Sequence, residues 1–168
     1  MSKIQSVTEI QVWKIELPTP IVLGNMTAGF DPGSTHMGFA WNIEGLQQAY
    51  VMQIDKHRTM NPIERMKEVY GIFSEMITHA HQWDVNLTIE GASFSDKYRQ
   101  VELAEIRATV AWWAMHNGVR EVQIVPPLTI RKAVFGNAKL KAHDVWDNHD
   151  IPNDALAALS CMYYGQNA

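Results

Sequence analysis

The sequence predicts an α/β fold, a mixed five-stranded sheet flanked by helices, and three observations predict it. Between about residues 26 and 54 the chain runs as three short apolar or alternating segments joined by tight turns. Two later apolar runs, at 85–90 and 121–125, are separated by stretches whose apolar residues recur at helical spacing. At 168 residues the chain is long enough for one domain with a core that folds alone. An antiparallel meander followed by strand–helix–strand units needs helices to carry the chain back over the sheet, so the sheet is mixed.

Taken in order, residues 1–24 read as an extension. Within it Glu9 to Leu17 alternates partly in strand fashion, and Pro18 and Pro20 end it. The main domain is expected over 25–168. Met26–Phe30 is a short apolar run stopped by Asp31-Pro32-Gly33. A strand at about 37–44 puts Phe39, Trp41 and Ile43 on one face, Gly45 turns it, and a third at about 48–54 aligns Tyr50, Met52 and Ile54. After Asn61-Pro62 the period changes: Ile63, Met66, Tyr70, Phe73 and Ile77 recur as on a helix. Val85–Glu90 is a buried strand. Ser95 or Asp96 can cap a helix that runs to about Asn117-Gly118, with Leu103, Ile106, Val110 and Trp113 as its stripe. Glu121–Val125 is a strand closed by Pro126-Pro127, 129–147 is helical or irregular, and a last helix starts near Pro152 and carries Leu156, Leu159 and Tyr163.

Composition narrows the class. Hydrophobic residues at 46% and charged ones at 19% are a globular balance, without low-complexity runs or internal repeats. Apolar stretches such as Val110 to Met115 are far too short to cross a bilayer, and Met1 to Glu9 lacks a signal-peptide layout. Cys161 is the single cysteine, which excludes an internal disulfide; the expectation is a cytoplasmic protein. A formal charge of −4 weighs slightly against nucleic-acid binding, but what matters is whether basic residues gather locally.

Three acidic motifs carry the chemistry. Asp31 falls at the end of a buried strand where Pro32 and Gly33 turn the chain; a plain Asp-Pro-Gly turn would also account for it. Glu90 ends the apolar strand Leu87-Thr88-Ile89, where a carboxylate is costly unless paired or bound to a cation; a surface position at the strand exit is the alternative. If the two strands are neighbours, both carboxylates point into one crevice at the strand ends. The third motif is Asp147-Asn148-His149-Asp150-Ile151-Pro152-Asn153-Asp154. Asp150 is a natural N-cap and Asp147 could cap as well, whereas Asp154 is followed by Ala155, Ala157 and Ala158, small enough to let the helix start lie against the sheet. Carboxylates converging in this way call for cations, and oxygen donors select Mg²⁺ or Mn²⁺ over zinc. A pair of such ions, about 3.5–4 Å apart, serves phosphodiester cleavage. His143 and His149 stand near the acidic run in sequence and could assist, or simply flank a helix in solvent.

These residues form a pattern that resembles the RuvC-type Holliday-junction resolvases of the RNase H-like superfamily. Phe30-Asp31-Pro32-Gly33-Ser34 with Gly38-Phe39-Ala40 is similar to that family's opening strand motif, and Ile89-Glu90 with Phe94 to its second. Ile130-Arg131-Lys132-Ala133-Val134-Phe135-Gly136 resembles the basic segment, and Asp154-Ala155-Leu156-Ala157-Ala158 the closing motif. The resemblance runs in order from about 26 to 164. It implies a homodimeric, Mg²⁺-dependent endonuclease that nicks a four-way DNA junction symmetrically, with Asp31, Glu90 and Asp154 as metal ligands. The family's fourth acid falls on Ile151 here; Asp150 takes its place in this reading, with Asp147 behind it. Lys97, Arg99, Arg131, Lys132, Lys139 and Lys141 flank the carboxylates in sequence and read as a group as phosphate contacts; Phe94 and Tyr98 could stack on an unpaired base or pack on their own domain. The adjacent Trp112 and Trp113 cannot both face one sheet, and a dimer interface would take the surplus. Alternatives are an RNase H-like nuclease acting on flaps, RNA–DNA hybrids or other branched DNA, and an inactive DNA-binding relative. An actin-like ATPase needs a duplicated domain that this length does not hold.

Overall fold

A computed structural model describes residues 9–14, 26–33, 36–43, 46–53, 62–76, 85–92, 100–146 and 151–167. The strands are β1 (Glu9–Lys14), β2 (Met26–Asp31), β3 (His36–Ile43), β4 (Leu46–Gln53), β5 (Val85–Glu90) and β6 (Glu121–Val125). The helices are α1 (Pro62–Met76), α2 (Gln100–His116), α3 (Pro127–Phe135), α4 (Ala142–Val145) and α5 (Asn153–Asn167). The proposed caps of α2, Ser95 and Asp96, lie outside the described residues.

The sheet order is β1-β4-β3-β2-β5-β6. β2, β3 and β4 form the expected antiparallel meander, while β5 pairs parallel to both β2 and β6. The five expected strands thus make a mixed sheet, and β1 adds a sixth at the β4 edge, pairing antiparallel from Glu9↔Gln53 to Lys14↔Gln48. That strand comes from the segment read as an extension; its alternation was visible, but a partner forty residues away was not.

One face of the sheet packs against α1 and α2. Phe30, Phe39, Ile89, Phe73, Ile106, Val110 and Trp113 are fully or almost fully buried there. Phe73 meets Phe30 and Phe39 edge-on, with ring centroids 5.1 and 5.4 Å apart. Trp113 can be buried because its Nε1–H donates to the Ser74 hydroxyl at 3.0 Å. Its neighbour Trp112 points away and is 56% exposed. It lines, with Ile63, Met66, Tyr70 and Ala108, an apolar groove of about 840 Å³ between α1 and α2.

The other face is covered by α5, whose Ala155, Leu156, Ala158, Leu159 and Met162 are buried against Ala40, Ala49 and Val51. This approach is close because the sheet carries glycine where the helix crosses. A Cβ on Gly29 would overlap the backbone of Ala158 and Met162 and lie 2.9 Å from the Cys161 Cβ. A Cβ on Gly38 would overlap the Asp154 carbonyl. Among the described residues, no helix is long and apolar enough to cross a membrane.

Candidate active site

Strand alternation decides which side chains meet. Across the sheet Ala28 pairs with Leu87 and Phe30 with Ile89, and these residues belong to the core under α1 and α2. Asp31 and Glu90, each one residue further, therefore face the α5 side at the carboxyl ends of two neighbouring parallel strands. Asp31 is also paired with Gly38 on β3, and Gly38 is where the backbone of Asp154 rests. Three carboxylates from β2, β5 and the first turn of α5 are thus brought to one corner of one face.

Their electrostatics agree. Asp31 retains some exposure at its rim but sits deep among protein atoms, and burial pushes its carboxyl well above the ordinary value; Glu90 and Asp154 push the same way, while Arg107 and Arg131 oppose. Burial also raises Glu90, again against the pull of Arg131 and Arg107. Asp154 is raised by burial and lowered by His36 and by its own backbone amide. All three are raised first by desolvation, and at Asp31 the neighbouring charges of Glu90 and Asp154 add to it. Cys161, on α5, feels the same field, its thiol raised by burial and by Glu90 and Asp31.

Among the described residues no three His, Cys, Asp or Glu side chains are drawn together closely enough to form a ready metal-ligand group. The carboxylates share a corner and sense one another without closing on a single point. Ile151, where the family resembled carries its fourth acid, is 8% exposed and packs into the core beneath α5, so that position is apolar in fact as well as in sequence. Asp150 and Asp147, the two substitutes, lie outside the described residues.

The basic residues divide. Arg131 on α3 is half-buried and acts on both Asp31 and Glu90. Its helix starts at Pro127 directly after β6 and ends at Gly136, whose φ of 72° takes the left-handed cap. Lys132, Lys139 and Lys141 are exposed on α3 and in the turn leading to α4. Phe94, Lys97, Tyr98 and Arg99 lie outside the described residues, as does His149. His143 is exposed, and its Nε2 lies 3.2 Å from Asp144 rather than at the carboxylate corner.

Sequence reasoning missed two residues. Arg107, in the middle of α2, is only 8% exposed; its Nε donates to the Glu90 carbonyl at 2.9 Å and its Nη2 to the Gly91 carbonyl at 3.2 Å. Burial pulls its guanidinium below the ordinary value, and Glu90 and Asp31 pull it back. His36, two residues before Gly38 on β3, shares the α5 face and acts on Asp154. A mid-helix arginine reads as solvated surface, and a histidine after Ser-Thr as a turn residue. The signal for Arg107 was available only as its place within an otherwise apolar stripe beside Ile106 and Val110.

No protein-family profile matches this sequence, and no curated protein matches it significantly. Solved structures do share its fold. RuvC from Thermus thermophilus in complex with Holliday junction substrate superposes with a TM-score of 0.62 at 17% identity, covering 83% of this chain and 90% of that chain. A second Thermus thermophilus RuvC structure gives 0.61 at 20% identity, covering 84% and 96%. The chain therefore has a RuvC-type, RNase H-like fold.

Proposed function

We propose that this chain is a divalent-metal-dependent endonuclease acting on branched DNA, four-way junctions above all, which it cuts as a homodimer by paired symmetric nicks. The observation that carries the reading is the placement of Asp31, Glu90 and Asp154 at one corner of the sheet face under α5, in a fold shared with a RuvC solved on its Holliday junction substrate. In this reading residues 25–168 are the nuclease domain, residues 1–24 an extension, and the place of action is the cytoplasm.

The donor set fits Mg²⁺ or Mn²⁺. Carboxylate oxygens are hard donors, and these three stand partly buried at one corner, where desolvation raises each of them and a bound cation would favour their charged form. Asp31, Glu90 and Asp154 would hold the cations, with Asp150 ahead of Asp147 as the fourth donor in this reading. A pair of such ions supplies charge neutralisation at the phosphodiester and eases deprotonation of the attacking water.

The chain's own groups do the rest. Arg131, beside Asp31 and Glu90, would hold the scissile phosphate against the carboxylate corner. Lys132, Lys139 and Lys141 would contact phosphates further along the strand, with Phe94, Lys97, Tyr98 and Arg99, between β5 and α2 in the chain, completing the DNA contacts. In the cleavage step the water oxygen attacks phosphorus, the bond to the leaving sugar oxygen breaks, and the proton released ends on that oxygen. The apolar groove beside the exposed Trp112 is the surface assigned to the second subunit.

The test is cleavage of a synthetic four-way junction with Mg²⁺ by the parent and by Asp31→Asn, with flap and RNA–DNA hybrid substrates alongside. Paired nicks by the parent and none by D31N are expected. A parent that leaves the junction intact but cuts flaps or hybrids would replace the substrate class. A D31N protein as active as the parent would remove the proposed centre.

A further inference from the structure

The geometry points to Arg107 as a positioning residue for Glu90, its guanidinium holding the end of β5 from α2 so that the carboxylate is presented to the corner shared with Asp31 and Asp154. This rests on the nuclease reading above and adds to it a residue that touches neither substrate nor metal.

The argument begins with cost. An arginine 8% exposed, on a helix whose neighbours Ile106 and Val110 are 1% and 0% exposed, is expensive to bury unless its charged head is hydrogen-bonded. Arg107 directs two of its donors at consecutive backbone carbonyls, Glu90 at 2.9 Å and Gly91 at 3.2 Å, at the point where β5 leaves the sheet. On the other side of that exit, the Gly91 amide donates to the Val125 carbonyl on β6 at 2.7 Å. The passage is narrow as well, since a Cβ on Gly91 would stand 3.1 Å from the Val125 carbonyl carbon and oxygen. The last peptide of β5 is thereby gripped from α2 and β6 at once. With that backbone fixed, the direction in which the Glu90 side chain leaves the strand is fixed too, which a strand end otherwise free to fray does not guarantee. A planar fork reaching two adjacent acceptors is what arginine offers and lysine does not.

A second possible role, simple charge compensation of the carboxylates, predicts the opposite behaviour, and this separates them. Removing a nearby positive charge should tighten cation binding, whereas loosening Glu90 should weaken it. The experiment compares the parent, Arg107→Lys and Arg107→Met by Mn²⁺ titration without DNA, by junction cleavage, and by hydrogen exchange of the Gly91 amide, all below the melting temperature of each protein. Positioning predicts that both variants lose about tenfold or more in Mn²⁺ affinity, the usual cost of removing a group that orients a ligand. It also predicts that kcat falls while KM for the junction stays within about threefold, and that Gly91 exchanges faster. R107K behaving as the parent, with R107M binding Mn²⁺ as tightly or more tightly, overturns the proposal. If R107M does not fold, R107K decides alone, since it keeps the charge and loses the fork. If the parent itself takes up no Mn²⁺, the nuclease reading fails. The hold on β5 is then judged by the Gly91 amide, where faster exchange in R107K supports it and unchanged exchange overturns it.

Discussion

Replacing Gly38 by alanine is expected to disable the site through one methyl group that touches no substrate. Gly38 pairs with Asp31 on one side and Val51 on the other, and its missing side chain is where α5 begins. An added Cβ would overlap the Asp154 carbonyl oxygen, and the backbone nitrogen of Ala155 would be only 3.2 Å away. Neither neighbour is the tip of a flexible side chain, so relief requires the helix start to retreat by roughly 1 Å or more before carbon and oxygen reach an ordinary contact of about 3.3 Å. Overpacking of this kind costs about 1–3 kcal/mol, which lowers Tm by about 2–4 °C per kcal/mol in a chain of this size. The larger effect is on chemistry, because a displacement of about 1 Å at a reacting centre costs on the order of 10²-fold in rate. Single-turnover junction cleavage with Mg²⁺, alongside thermal melting, reads both. Two further glycines calibrate the result. Gly29→Ala meets α5 further along, at Ala158 and Met162, and should lose comparable stability but less rate. Gly71→Ala, in α1 with nothing within 4 Å, should gain about 0.5–1 kcal/mol and leave the rate unchanged. A folded G38A that cuts within twofold of the parent would refute the claim that close approach of α5 places Asp154.

Three other outcomes are expected. Because folding raises the pKa values of Asp31, Glu90 and Asp154, the metal-free folded state binds protons more tightly than the unfolded chain. The stabilising effect of that proton binding is present at low pH and is lost as pH rises from about 4, where unfolded carboxylates titrate, through the raised folded values. D31N should therefore match the metal-free parent near pH 4 but melt higher than it at pH 7, and a gap that narrows as pH rises would contradict this. Arg131→Ala should weaken junction binding and lower the magnitude of the log K against log salt slope by about one unit; an unchanged slope would remove Arg131 from the phosphate contacts. Trp112→Glu should shift the sedimentation of a dimeric parent toward the monomer at micromolar concentration, and a monomeric parent would end the dimer proposal outright.

The sequence by itself determined more of the scaffold than of the site. Alternation and turn residues placed β2 to β6 within a residue or two, because period-two burial and Asp-Pro-Gly or Pro-Pro stops are local properties of the chain. The three principal acids were visible for the same reason: a carboxylate at the end of an apolar strand, or before a run of alanines, is conspicuous in a short window. The partners of those acids were not visible. Glu9–Lys14 has the pattern of a strand, yet pairing with β4 is a long-range choice that nothing local encodes. Whether Asp31 and Glu90 shared a face depended on the β2–β5 register, since a slip of one residue would turn one of them toward α1 and α2. Nothing local explains Gly29 and Gly38, and only the packing of α5 onto them shows why no side chain is tolerated there. Arg107 is the extreme case. Seventeen residues from Glu90 in the chain, it reads as helix surface, and only the fold brings its fork beneath the end of β5. Local chemistry chose the carboxylates; the strand register and the helix approach, both long-range, brought them to the same corner.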